Sequence, residues 1–529
     1  MKMNYNDYLI EIIVMRVVYD SYCGQTNNDY NCKYLNIQIF QMPNTNLLKL
    51  IQNSFIGQQT QYPLVDGSIG PRRYFDSAAS TLMMRPAFEV AQNFLEHYSS
   101  THSELHFSAR GANQAYDWAH QRVLDFVGAK SDIYSCYFVG SGATAGFNRI
   151  ANELATLRPE RGVVIASEME HHSNDLPHRK HATEVFHLPL IGEGANCGGI
   201  DIDVAEEIIK KYGSRINYLA ITAASNVTGV ITPIHELAQL AHSVGAYIIV
   251  DASQMIAHAP ISMQSELLLE ADIDVLIFSG HKIYAPGSPG AVIARNSLLK
   301  QTSPSEVGGG MVKNVYLEHF TPSDVLPERE EAGTPNIVGA ITLACALDVL
   351  IQIGMQSIRE KEQYLIDLAW TKLSEIDGVN LYGPDPDQLP RTGTIAFNIK
   401  GFDHGLTAAA LNDYHNIQVR NGCFCAHPYV REMLKPELWE INLDPDTPDI
   451  EAKLERKRGM ARASLGIYNN EEDILALCHA IADLASRQAE ILSIYQPQGK
   501  SGYRHREFLP DQKTLFDPVA ALEQSLKQL

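Results

Sequence analysis

The sequence predicts an α/β protein: a large domain built on a mostly parallel sheet flanked by helices, followed by a smaller α+β domain. Three observations carry this. Short apolar runs (GVVIAS, NYLAIT, AYIIVD, DVLIFS, GAVIAR) alternate with helical patterns such as DVAEEIIKKY and IHELAQLAHSV between about residues 75 and 340. The runs are apolar along their length, as strands covered on both faces are. From about residue 341 the pattern changes to long helical stretches (GAITLACALDVLIQIG, IREKEQYLIDLAWTKLSEI, EEDILALCHAIADLASRQAEIL) with two strand-like runs, RTGTIAFNI and IQVR.

In chain order, residues 1–74 read as an N-terminal extension rich in Asn, Gln and Tyr, with an amphipathic helix expected in NTNLLKLIQNSF. Met42 precedes that helix, which leaves the status of the first 41 residues open. The run LIEIIVMRVV is interrupted by Glu11 and Arg16, lacks a small-residue cleavage site and is too short for a membrane span. The large domain is expected over 75–340 and the small one over 341–495. Residues 496–529 form a tail, with QPQGKSGYRHREFLPDQ expected as a linker before a short terminal helix.

Charge and cysteine usage narrow the function classes. Lys and Arg total 42 against 62 Asp and Glu, a formal charge of -20, which argues against a nucleic-acid binder or an anionic-membrane protein. Any anionic ligand must be held by local groups. The eight cysteines show no regular framework, so a reducing, cytoplasmic setting is expected.

The stretch FSGHKIYAPGSPG places Lys282 just past the run DVLIF, and Asp251 ends AYIIVD. Functional groups of α/β sheets gather at the carboxyl ends of strands. A lysine and an aspartate placed this way suit pyridoxal phosphate: the amine condenses with its aldehyde and the carboxylate keeps the ring nitrogen protonated. GSGATAGFNRIANEL offers a phosphate cradle, with Ala143 and Thr144 near a helix start, and Ser279 and His281 add donors. Taken alone, each signal has a plain reading. Small residues open many helices, and single Asp and Lys residues usually lie on the surface.

Together the motifs resemble the class V aminotransferase group of pyridoxal phosphate enzymes, of fold type I, and within it the cysteine desulfurases. YFDSAAST, SEMEHHSNDLPHR, AASNVTG, VDASQ, FSGHK, EEAGTPN, RNGCFC and RASLGIYN follow in family order from about Tyr74 to Leu492. The resemblance implies that His171 stacks on the cofactor ring and moves protons, and that Asn226 and Gln254 hydrogen-bond the ring hydroxyl or the substrate. It implies that Thr144, Ser279 and His281 hold phosphate, and that Thr334 reaches the phosphate of a neighbouring subunit in a homodimer. Arg462 becomes the clamp for an amino-acid carboxylate, with Arg420 a second candidate, since a guanidinium fork matches a carboxylate. Cys425 becomes the thiolate that takes sulfur from L-cysteine, leaving alanine and a persulfide for an acceptor protein or cofactor precursor.

Other features depart from that pattern. GCFC, and His102 in the segment Ser100 to Ser103, are closer to the desulfurase-like domain of molybdenum cofactor sulfurases. His102 is accordingly a further substrate-binding candidate. The acidic stretch EINLDPDTPDIE between Cys425 and Arg462 is long for a desulfurase loop and suits a lid or docking edge. Competing readings stay open at each position: a metal or surface cluster around His171, turn caps for Asn226 and Gln254, surface salt bridges for the arginines, and an inert buried thiol for Cys425. Cys423, Cys425 and His427 also resemble half a zinc site but lack a fourth ligand, so no metal is expected. Two wider alternatives are another class V reaction (transaminase, C–S lyase or epimerase) and a non-catalytic cofactor-binding scaffold.

Overall fold

The computed structural model describes residues 45–438 and 450–528. The expectations for LIEIIVMRVV, Met42 and most of EINLDPDTPDIE fall outside that range. The large sheet has seven strands: β1 (Tyr134–Val139), β2 (Val163–Ser167), β3 (Glu184–Leu188), β4 (Ile216–Thr222), β5 (Tyr247–Asp251), β6 (Val275–Ser279) and β7 (Gly290–Arg295). Their order is β1-β7-β6-β5-β4-β2-β3. The run from β6 through β5, β4 and β2 to β3 is parallel, whereas β7 is antiparallel to both neighbours. That reversal follows from chain length, because the link from Ser279 to Gly290 is too short for the helical crossover a parallel neighbour needs.

Strand β1, not among the expected runs, is buried along its whole length. The helix Gly142–Leu157 lays Phe147, Ile150 and Leu154 against Val164, Tyr218, Ile249, Ile277 and Val292 from five of the strands. Removing those side chains from water is the main force holding the layer.

A second sheet contains β8 (Val379–Tyr382), β9 (Thr394–Ile399), β10 (Arg420–Gly422) and β11 (Met460–Ser464) in the order β8-β9-β11-β10, all antiparallel. Helices Met355–Ser374, His404–His415 and Glu471–Ser486 supply its core, including Leu365, Leu373, Leu411, Ile474 and Ile481. Asn470 and Asp473 start the last of these with reciprocal capping bonds. The helix Ile337–Ile353 is apolar nearly all round and packs on Arg85–Leu95 and Phe107–Phe126. The boundary expected at 340/341 therefore falls inside a helix that belongs, by its contacts, with the large sheet's layer.

Residues 45–74 are packed into this body. The helix Thr45–Ile51 buries Leu47, Leu48 and Ile51, and Phe55 meets Tyr284 and Tyr468 with ring centroids 5.3 and 4.9 Å apart. Arg73–Tyr74 pairs in parallel with Ile417–Gln418. The tail differs from the expected linker. Tyr495–Gln498 and Gly502–His505 form an antiparallel hairpin around Gly499, whose φ of 63° suits a tight turn, and it buries Tyr495 and His505. The terminal helix spans Pro518–Leu526. Among the described residues no single helix is long and apolar enough to cross a membrane.

Candidate active site

The carboxyl ends of β4, β5 and β6, the start of the helix Gly142–Leu157 and the edge of the second sheet converge on a cavity of about 260 Å3. Its lining includes Ala143, Thr144, His171, Asn226, Asp251, Gln254, Ser279, His281, Lys282, Arg420, Cys425 and Arg462. Twelve of the fourteen residues singled out in the sequence are thus brought to one space; the other two, His102 and Thr334, are not among its lining. Thr334 is exposed just before the helix Ile337–Ile353, and His102 borders a separate cavity with Tyr116, His120 and Glu331.

Lys282 ends a single 3-10 turn that follows β6 directly. The turn is fixed by the YFDSAAST segment: Thr81 N donates to His281 O at 3.2 Å, Tyr284 N donates to Thr81 Oγ1 at 2.7 Å, and His281 Nδ1 lies 3.2 Å from Ser80 Oγ. Burial pulls the Lys282 ammonium down to about 8, with Asp251 and Cys425 working against that shift and Arg462 adding to it. Asp251 is 4% exposed and accepts from Ser253 N at 2.9 Å. Burial holds its carboxyl above the usual range, against the bonds from Ser253 and the charge of Lys282.

Opposite the lysine turn lies the helix start. Gly142 has a φ of 62°, and a Cβ on Gly290 would stand 2.5 Å from Gly142 C, so the two backbones meet as only glycines allow. Ala143 N donates to Ser279 Oγ at 2.8 Å, and Thr144 Oγ1 lies 2.7 Å from Ser173 Oγ. His171 caps the next turn by accepting from Ser173 N through Nδ1 at 3.1 Å. Burial, reinforced by Lys282, lowers its pKa to about 3, and His281 falls to about 4 for the same reasons.

From the second sheet come the two arginines, directly opposite each other in the register of β10 and β11. Arg462 is 2% exposed; Nη1 donates to Asn226 O at 2.8 Å, and its guanidinium lies 4.7 Å from the Phe424 ring centre. Burial lowers its pKa to about 10. Arg420 is exposed at the rim. Both pair with Asp76, at 3.5 Å from Arg462 and 3.6 Å from Arg420. Asn226 Nδ2 donates to Phe424 O at 2.7 Å and Gln254 Nε2 donates to Ala78 O at 2.8 Å.

Cys425 is exposed at the cavity, whereas Cys423 Sγ donates to Arg458 O at 3.0 Å and burial pushes its thiol up to about 11. Among the described residues no group of three or more His, Cys, Asp or Glu side chains is arranged to hold a metal ion. The sequence reading missed Asp76, although it quoted the motif containing it, and missed Phe424, between the two cysteines. It also passed over Glu170, which is buried beside His171 and accepts from Ser167 Oγ, Asn174 Nδ2 and Thr222 N. Burial raises Glu170 to about 8.

Comparison with known proteins agrees with this geometry. The family model for aminotransferase class-V matches residues 73–477. A cysteine desulfurase of Escherichia coli O127:H6 is 31% identical over 424 residues, covering 79% of this chain and 94% of its own. The apo cysteine desulfurase of Thermococcus onnurineus NA1 superposes with a TM-score of 0.67 at 28% identity, covering 78% of this chain and 94% of its own. An Escherichia coli cysteine desulfurase in its S-sulfonic acid form gives 0.67 at 27% identity, over 83% and 98% of the two chains. The chain belongs to the class-V aminotransferase family, in its cysteine desulfurase branch.

Proposed function

We propose that this chain is a pyridoxal phosphate-dependent cysteine desulfurase that converts L-cysteine to L-alanine, takes the sulfur on Cys425 as a persulfide and passes it to an acceptor. The observation that carries the reading is that Lys282, Asp251, Arg462 and Cys425 line one cavity. The residues present fit the cofactor. Thr144, Ser279 and His281 would hold its phosphate at the helix start, where free N–H groups and the helix dipole favour an anion. Asp251 would serve the ring nitrogen, His171 the ring face and Lys282 the aldehyde. Asn226 Oδ1 is buried without a partner in the chain, as a group awaiting a ligand is. Bound there, pyridoxal phosphate supplies an aldehyde that takes up an amine and a cationic ring that draws electron density from the substrate's α-carbon.

The side chains account for the remaining steps. Arg462 binds the carboxylate of cysteine, with Arg420 as the second guanidinium at the rim. Lys282, neutral above a pH of about 8, removes the α-proton through Nζ. Cys425 attacks the substrate sulfur as a thiolate. An S–S bond then replaces the C–S bond, the departing carbon gains a proton, the proton taken by Lys282 returns to the α-carbon to complete alanine, and no external oxidant is required. The acceptor takes the terminal sulfur from Cys425.

The wider reading is a cytoplasmic homodimer that lends Thr334 to its neighbour's phosphate site and binds neither nucleic acid nor membrane. It is supported by the chain's acidity and by the exposed position of Thr334 outside its own cavity. The test is Cys425→Ser. The variant keeps the cofactor's absorption and its shift on adding L-cysteine but forms neither alanine nor persulfide. Undiminished alanine from the variant, or wild-type protein that stays colourless with added coenzyme, would end the proposal.

A further inference from the structure

The segment that carries Cys425 holds an unfavourable backbone conformation. Phe424 and Cys425 have φ of 51° and 55°, two consecutive left-handed residues of which neither is glycine. Something must hold them there. Two bonds come from the large sheet's side: Asn226 Nδ2 to Phe424 O at 2.7 Å, and His172 N to Cys425 O at 2.8 Å. A third contact closes the other end of the segment. His427 lies flat on His172, with ring centroids 4.8 Å apart and planes 8° from parallel. His427 Nδ1 is 3.0 Å from His172 Nε2, and His427 N donates to the same nitrogen at 3.4 Å.

The arrangement needs His172 Nε2 as an acceptor, which places the His172 proton on Nδ1 and lets His427 Nδ1–H donate. Burial, reinforced by His427 and Arg179 and opposed by Asp175, keeps the His172 ring on the neutral side of its ordinary value. Neither ring lines the cavity, so both touch the sulfur-carrying segment rather than the substrate.

We propose that the stacked His172–His427 pair is a clamp that keeps the strained Cys425 segment turned into the cavity, making both histidines positioning residues for sulfur transfer. The inference rests on the reading of Cys425 as the sulfur carrier. Its test uses the full-length holoenzyme and the variants His427→Ala and His427→Asn, the latter keeping an amide nitrogen near the place of Nδ1. Two quantities are read: alanine formation from L-cysteine, and the rate at which iodoacetamide alkylates Cys425 without substrate, followed by peptide mass.

For His427→Ala, kcat falls about fivefold, the worth of one net hydrogen bond, with KM and the cofactor spectrum unchanged. Cys425 alkylation accelerates by a similar factor, and His427→Asn restores most of both. Equal kcat and equal alkylation in wild type and His427→Ala would overturn the clamp, as would an Asn variant no better than Ala. A wild type that makes no alanine refutes the desulfurase reading instead, and the alkylation rates still decide the clamp.

Discussion

Replacing Arg462 with alanine isolates the substrate carboxylate contact. The guanidinium is buried and fixed on two sides, through Nη1 to Asn226 O and Nη2 toward Asp76, while Nε is buried without a partner in the chain. A carboxylate received there makes one or two charge-assisted hydrogen bonds, each worth about 1.5–3 kcal/mol. Losing them costs roughly 2–4 kcal/mol, or about 30- to 1,000-fold in kcat/KM for L-cysteine. Lysine at this position keeps the charge and loses the fork, so its effect is intermediate. The assay compares sulfur release from L-cysteine with release from cysteamine, which lacks the carboxylate. Wild type prefers L-cysteine, and Arg462→Ala erases the preference because cysteamine never used the contact. An equal loss on both substrates would show that Arg462 supports the fold instead, and the reasoning would fail.

Burial lowers Lys282 to about 8, so its neutral, nucleophilic form dominates above that pH. Uptake of pyridoxal phosphate by stripped protein therefore speeds up as pH rises and levels off above about 8; absorbance stopped-flow checks this, and a plateau only near the ordinary lysine value would contradict it. Gly290→Ala forces a Cβ to 2.5 Å from Gly142 C, and overpacking of this kind costs about 1–3 kcal/mol. The expected result is a lower melting temperature together with weaker cofactor binding, read by thermal melt and by titration. Cys423→Ser retains alanine formation, because the Cys423 thiol is held protonated by burial and donates to Arg458 O instead of lining the cavity. Alanine yield per enzyme measures this.

Much of the architecture is written locally. The buried strands advertise themselves as apolar runs, and the lysine and aspartate stand where such strands end, so the large sheet and one half of the site are readable from spacing. Strand direction is less so. GAVIAR has the composition of its parallel neighbours, and only the short link before it encodes its reversal. Longer-range pairings leave no local trace: Asp76 meets Arg462 at a sequence separation of 386, and nothing in YFDSAAST announces that partner. The tail hairpin escaped because its strands are polar and mostly exposed, with Pro497 within one of them. Thr334 and His102 illustrate a further limit, since a residue implied by family likeness need not border the cavity of its own chain.

The pairing of Arg420 with Arg462 across β10 and β11 separates their placement from the segment that joins them. Ladder hydrogen bonds, rather than linker length, set the spacing of the two guanidinium groups. Insertions in that connection leave the two guanidinium groups in place, whereas a slip of β10 by one position along the ladder would turn Arg420 to the opposite face while β9 holds β11 and Arg462 where they are. Variation is thus cheap in the joining stretch and ruinous in the three-residue strand.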